Sequence, residues 1–172
     1  MYQKTFKIKK AFLVAFSVDV VLLCLLLLLS LFFKGSSLER FVLAVIFITA
    51  LLVFLEALSR KVLTGDQGIL IRKFLRDKKL LWEDITQVGT VVMRNRVYLL
   101  LTTTKGFQIL TNAYGEFPVL LREIADHVER ERIDDEVRNQ IEHPVKKISD
   151  IISTWFAAAV LVAIIVFKIM TS

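Results

Sequence analysis

The chain has 172 residues, 55% of them hydrophobic, and a formal net charge of +6. With three long apolar stretches set aside, that length leaves room for one small domain, roughly 90 residues with a single core, and excludes a multidomain architecture. The one cysteine, Cys24, lies in an apolar stretch; it excludes an intrachain disulfide, says nothing of redox compartment, and reads as a small apolar filler.

Residues 1–10 form a basic N-terminal segment with Lys4, Lys7, Lys9 and Lys10. An apolar run over residues 11–33 follows. It is far longer than the roughly 7–15 residues of a signal-peptide core, and no small-x-small cleavage site precedes Lys34, so it reads as an uncleaved anchor. Leucines dominate residues 22–31, which suits lipid contact. Asp19 interrupts the run. A carboxylate at that depth is costly, and three readings stay open: it reaches interfacial water, it makes an assembly contact, or it belongs to a proton or ion relay.

After a short connection carrying Lys34, Glu39 and Arg40 comes a second span, residues 41–58, with Glu56 near its inner end. Residues 11–58 thus read as a transmembrane hairpin. A third span covers residues 151–170. Its pairs Ser153/Ala157 and Ala159/Ala163 are small residues four apart, which permit close helix approach, and Trp155 suits an interface. Each span is near the roughly 20 apolar residues needed to cross a bilayer.

Basic flanks set the expected topology. The N-terminal lysines, Arg60 and Lys61 after the second span, and Lys146 and Lys147 before the third all place their flanks inside. The expectation is an integral protein of a cell inner membrane. Its N-terminus and polar module are cytoplasmic, its C-terminus is outside, and Lys168 snorkels to the outer surface.

The polar module reads as short strands. Residues 62–64 end at the turn Gly65-Asp66-Gln67-Gly68, and residues 69–74 end at a charged turn, 75–78. Residues 79–82 and Ile85–Met93 follow, separated by Glu83-Asp84. Asn95-Arg96 turns into residues 97–104, and Lys105-Gly106 is a hairpin signal before residues 107–111. Strands this short and evenly spaced suggest a barrel or sandwich. Phe117, Leu120, Leu121, Ile124 and Val128 then share one face at helical spacing, with Pro118 tolerated in the first turn. The opposite face carries Arg122, Glu123, Asp126, Glu129 and Arg130. Ile133, Val137 and Ile141 continue at four-residue spacing through a charged helical linker, residues 133–150. Leu121 and Ile124 are the expected structural core of the helix.

The run Thr64-Gly65-Asp66-Gln67-Gly68-Ile69, followed by Leu80-Leu81-Trp82-Glu83-Asp84-Ile85, resembles the bacterial pleckstrin-homology-like (PH-like) domain over about residues 60–132. The tryptophan–x–aspartate–isoleucine element and the order of strands then helix carry the resemblance; a third membrane helix after the domain departs from the usual pattern. The resemblance implies an α+β module, residues 59–132: a partly open antiparallel β-barrel of two sheets capped by its C-terminal helix, on a membrane anchor of three transmembrane helices. It also implies binding or scaffolding rather than catalysis. From the residues themselves, Trp82 reads as a core or rim side chain, with ligand stacking the minority alternative.

Chemistry offers less. His127 and His143 have no second His or Cys at metal spacing, and the Gly65–Gly68 turn lacks the lysine and helix of a phosphate loop. No catalytic residue, cofactor or metal is expected. Charge is more informative. From Arg60 to Lys105 there are ten basic and four acidic residues, and from Glu116 to Glu142 nine acidic and four basic. Arg72, Lys73, Arg76, Lys78, Lys79, Arg94 and Arg96 are candidates for anionic lipid, worth about 1 kcal/mol per residue near a charged leaflet; solvated turn charge is the plain alternative. Nucleic acid is disfavoured because exposed aromatics do not interleave with these basic residues.

Three functions follow as expectations. The first is a non-enzymatic membrane-anchored scaffold, adaptor or assembly subunit that takes a protein partner or forms a homo-oligomer, through the acidic 123–142 face or an exposed strand edge. The second is a module sensing anionic membrane lipids. The third is a small subunit of a transport complex centred on Asp19.

Overall fold

The computed structural model describes residues 2–33, 36–94, 96–145 and 149–170. Sequence readings at Lys34, Asn95, Lys146, Lys147, Thr171 and Ser172 lie outside these. The chain divides into two compact units, residues 1–9 with 59–148, and residues 10–58 with 149–172.

The first unit is an α+β module with two antiparallel sheets. One contains β1 (Tyr2–Lys7), β2 (Lys61–Gly65), β3 (Gly68–Arg72) and β4 (Asp77–Leu81), side by side in that order. The other contains β5 (Ile85–Met93), β6 (Arg96–Thr103) and β7 (Gly106–Thr111), again in order. Then come α3 (Phe117–His127), a 3-10 turn at Arg130–Arg132 and α4 (Asp135–Glu142). The strands, whose pattern suggests a barrel or sandwich, form two separate sheets and no closed barrel. The chain turns between β4 and β5, and no strand ladder among the described residues joins the two sheets.

Alternation along the strands builds the core. Phe6, Val62, Ile69, Ile71 and Leu80 are buried from the first sheet, and Val88, Val97, Leu99, Leu101 and Leu110 from the second. The apolar face of α3 adds Phe117, Leu120, Leu121 and Ile124, all buried. Each such side chain contributes about 1.5–3 kcal/mol by leaving water.

The N-terminal segment corrects the sequence reading. It is not a flank but an edge strand. β1 pairs with β2 in the register Lys7↔Lys61, Phe6↔Val62 and Lys4↔Thr64, and Phe6 and Ile8 are buried. Beyond β1 the chain is held again: the amide of Lys9 donates to the Ala113 carbonyl (3.1 Å), and the amide of Gly115 to the Lys7 carbonyl (2.7 Å). The Lys4 ammonium pairs with the Glu123 carboxylate on α3. A fragment starting at residue 59 would therefore lack one strand of its sheet.

The second unit holds α1 (Lys10–Phe32), α2 (Ser37–Ser59) and α5 (Ser149–Met170), each long and apolar enough to cross a membrane. α1 packs along α5. Ala15, Asp19, Leu26 and Ser30 are buried along one stripe of α1, and Thr154, Ala158 and Ile165 along one stripe of α5. The small pairs Ser153/Ala157 and Ala159/Ala163, which by spacing permit close helix approach, are instead exposed. Thr154 takes their place without a polar penalty, because its hydroxyl donates to the Asp150 carbonyl one turn back (2.6 Å). α2 buries no residue; it meets α1 through the edge-on Phe16–Phe54 ring pair at 5.8 Å. Its start is capped, since the Glu39 amide donates to the Ser36 hydroxyl (3.1 Å). Arg40 reaches across to the Ser30 carbonyl (3.0 Å) near the end of α1. Lys168, read from the sequence as snorkelling outward, pairs with Glu39.

Candidate functional site

Three places on the module carry the side chains singled out from the sequence, and they differ in character. Trp82 sits half-buried in the turn between the two sheets. Its indole N–H donates to the carbonyl of Gly65, the last residue of β2 (2.9 Å), and its ring stacks on His127 at the end of α3, with centroids 4.6 Å apart and planes 14° from parallel. His127 is fixed in turn by a 2.8 Å contact from Nδ1 to the Glu123 carbonyl. Trp82 thus ties the first sheet, the inter-sheet turn and α3 together. Replacing it with Phe keeps the ring but removes the donor. The expected cost is about 1–2 kcal/mol of stability, measured as a lower thermal midpoint of the full-length protein in detergent. An unchanged midpoint would return Trp82 to a ligand-stacking role.

The seven basic candidates divide. Arg72 ends β3, Lys73 and Arg76 lie in the β3–β4 loop, and Lys78 and Lys79 are on β4, all exposed. Arg94 and Arg96 belong to the separate β5–β6 hairpin. Within the first group the pleat sends Lys78 and Lys79 to opposite faces of the sheet, since Lys78 pairs with buried Ile71 and Lys79 with Leu70. Arg72 is paired with Asp77 through two guanidinium contacts of 3.0 Å. An open depression of about 460 Å³ lies beside this loop, lined by Ser59, Lys61, Arg72, Phe74 and Leu75 among others.

The acidic helical face is partly neutralised from within. Arg132 pairs with Glu129 at 3.1 Å, Arg138 with Asp135 at 3.8 Å, and Lys4 with Glu123. Among the described residues no group of three or more His, Cys, Asp and Glu side chains has a metal-binding arrangement. Asp19 is buried on α1, and its Oδ1 has no hydrogen-bond partner among the described residues.

The surface that sequence reasoning missed is the outer face of the second sheet. Antiparallel sheets with one face on the core usually turn polar residues outward. Here the outward positions include Val91 on β5, Tyr98 and Leu100 on β6, and Phe107 and Ile109 on β7, beside Gln87, Arg96, Thr102 and Thr111, with Phe107 63% and Ile109 46% exposed. Register aligns them: Val91 lies opposite Tyr98, and Leu100 opposite Ile109. The β5 end of this face is covered, because Asp134 lies over Gly89, where a Cβ would come within 2.6 Å of its carboxylate. The Asp134 amide donates to the Val88 carbonyl (3.0 Å), occupying that edge. Among the described residues no strand pairs with the outer edge of β7; along it the Phe107 carbonyl accepts from the Gln108 side chain and the Thr111 carbonyl from the Tyr114 amide (3.3 Å). The strand Gly106–Thr111 has no charged residue, whereas the edge strand β4 carries Asp77, Lys78 and Lys79. The signal was present as Phe107 and Ile109 two apart, but alternation alone does not say which face is covered.

No protein-family model matches the chain, and no curated protein or solved structure matches it.

Proposed function

We propose that the chain is a non-enzymatic, membrane-anchored scaffold whose PH-like module takes a protein partner at the β7 edge. The observation that carries this reading is the uncharged β7 strand, whose outer edge has no strand partner among the described residues, bordering a face that exposes Phe107 and Ile109. An extended segment of the partner adds to β7 through main-chain hydrogen bonds, and its alternate side chains lie against Phe107, Ile109 and Leu100. Edge strands without charge or cover are sites of strand addition. Sheets of four and three strands followed by an amphipathic helix, with Trp82 at the turn between the sheets, support the PH-like assignment. The basic residues Arg60 and Lys61 at the end of α2 support a cytoplasmic module at the inner membrane, with the C-terminus outside.

The test is the assembly state in mild detergent. The wild type should run larger than a single 19.7 kDa chain. The double variant Phe107→Lys with Ile109→Lys should run as a single chain with an unchanged thermal midpoint, because both side chains already face solvent. A monomeric wild type, or a variant that keeps the assembly, removes the proposal.

A further inference from the structure

The register of the first sheet places one row of residues at a single end. Lys7, Lys61, Arg72 and Asp77 are successive cross-strand partners on β1, β2, β3 and β4. This is the end from which the chain runs into α1, three residues after Lys7, and at which it returns from α2, two residues before Lys61. Cross-strand partners share a face, and neighbouring strands lie about 4.8 Å apart. Lys7, Lys61 and Arg72 therefore form a cationic row about 10 Å long, with Asp77 as its one carboxylate.

The β3–β4 loop projects past this row. Its four residues, Lys73-Phe74-Leu75-Arg76, are closed by an amide-to-carbonyl bond from Lys73 to Arg76 (2.9 Å). Two apolar side chains form the tip, Phe74 at 53% and Leu75 at 87% exposure, between two cations. A soluble hairpin tip gains nothing from that pattern. A bilayer interface rewards it, since aromatic and leucine side chains enter the headgroup–acyl boundary while lysine and arginine stay at the phosphates.

We propose that the 73–76 loop is an interfacial membrane anchor: Phe74 and Leu75 insert into the leaflet that the chain's own helices cross, and Lys61, Lys73 and Arg76 hold anionic lipid phosphates around them. The occupant is lipid rather than protein for two reasons. The tip stands at the end of the sheet joined directly to two membrane-spanning segments, and its charge complements an anionic leaflet. The site is independent of the β7 edge, which belongs to the other sheet.

A spin label reads this in the full-length protein. Leu75→Cys on a Cys24→Ser background is labelled and reconstituted into nanodiscs of phosphatidylcholine with phosphatidylglycerol. Gln67→Cys, in the exposed loop at the opposite end of β2 and β3, is the aqueous reference. At position 75 the label should collide with a water-soluble nickel chelate several-fold less, and with oxygen several-fold more, than at position 67. Equal accessibility at the two positions overturns the proposal. So does protection from both the chelate and oxygen, which marks burial under protein. Adding K73E and R76E, both in the exposed loop, should restore chelate access at position 75; undiminished protection removes the lipid phosphates from the proposal.

Discussion

Gly68→Ala should unfold the first sheet at temperatures where the wild type is intact. Gly68 opens β3 with φ at +151°, a backbone region that side chains other than hydrogen rarely enter. A Cβ built there would stand 2.0 Å from the Leu80 carbonyl oxygen and 2.9 Å from the Leu81 Cα on the neighbouring strand. Both are backbone atoms, so no rotamer change relieves the clash. Either β4 moves away, losing the Gly68↔Leu81 and Ile69↔Leu80 pairing, or β3 shifts and breaks the Gly65↔Gly68 hairpin. Strain of this kind costs about 1–3 kcal/mol from the dihedral alone, and the clash brings the total to about 3–5 kcal/mol. Small domains have only about 5–15 kcal/mol to lose. The internal control is Gly106→Ala. Gly106 also has positive φ, at +118°, but a Cβ there meets nothing within 4 Å, so only the dihedral cost applies. Thermal melts of the two variants separate strain from steric overlap. Equal midpoints for both would show that the close approach at Leu80 does not matter.

Ile124→Asp should abolish the module's cooperative melt. Ile124 is completely buried on α3, between Leu120 and Leu121 in a face that covers the sheets. Removing the aliphatic side chain costs about 2–5 kcal/mol, and a buried carboxylate without a partner adds several more. Leu121→Asp should behave in the same way. Val119→Asp, exposed on the same helix, leaves helix propensity and charge as the only changes and should melt close to wild type. These measurements belong on the full chain, because β1 lies before α1 and completes the sheet. A variant with Ile124→Asp that melts like wild type would place α3 outside the core.

Much of this architecture was legible because its signals are local. The three spans are legible from apolar length, which Asp19 and Glu56 are too few to mask. β5 was read with both its ends, Ile85 and Met93, because turn residues flank it, and the core face of α3 followed from the spacing of Phe117, Leu120, Leu121 and Ile124. What escaped was non-local. In sequence β1 looks like a basic flank, because its charges are obvious while its partner β2 lies beyond two long apolar helices; only Phe6 and Ile8, two apart, hint at a strand. The apolar Phe74 predicts a strand reaching residue 74, yet the Arg72–Asp77 pair closes the ladder two residues earlier and leaves Phe74 in an exposed tip. The four-residue spacing predicts a helix from Ile133, but Ile133 bridges to Val88 in parallel, and α4 begins only at Asp135. Of the candidate lipid residues, charge and turn position found the five near β3 and β4 without separating them from Arg94 and Arg96, because the division depends on which strands pair.

The placement of β1 ahead of the membrane hairpin bears on how the protein is made. The ribosome delivers β1 first, then α1 and α2, and only then the strand that β1 must join. Between Lys7 and Lys61 the chain has to cross the bilayer an even number of times, or the two strands emerge on opposite sides and never meet. A nascent chain whose second helix fails to insert is left with Phe6 and Val62 stranded and with unpaired backbone at β2. Pairing of β1 with β2 therefore requires that α1 and α2 together return the chain to the side from which it entered.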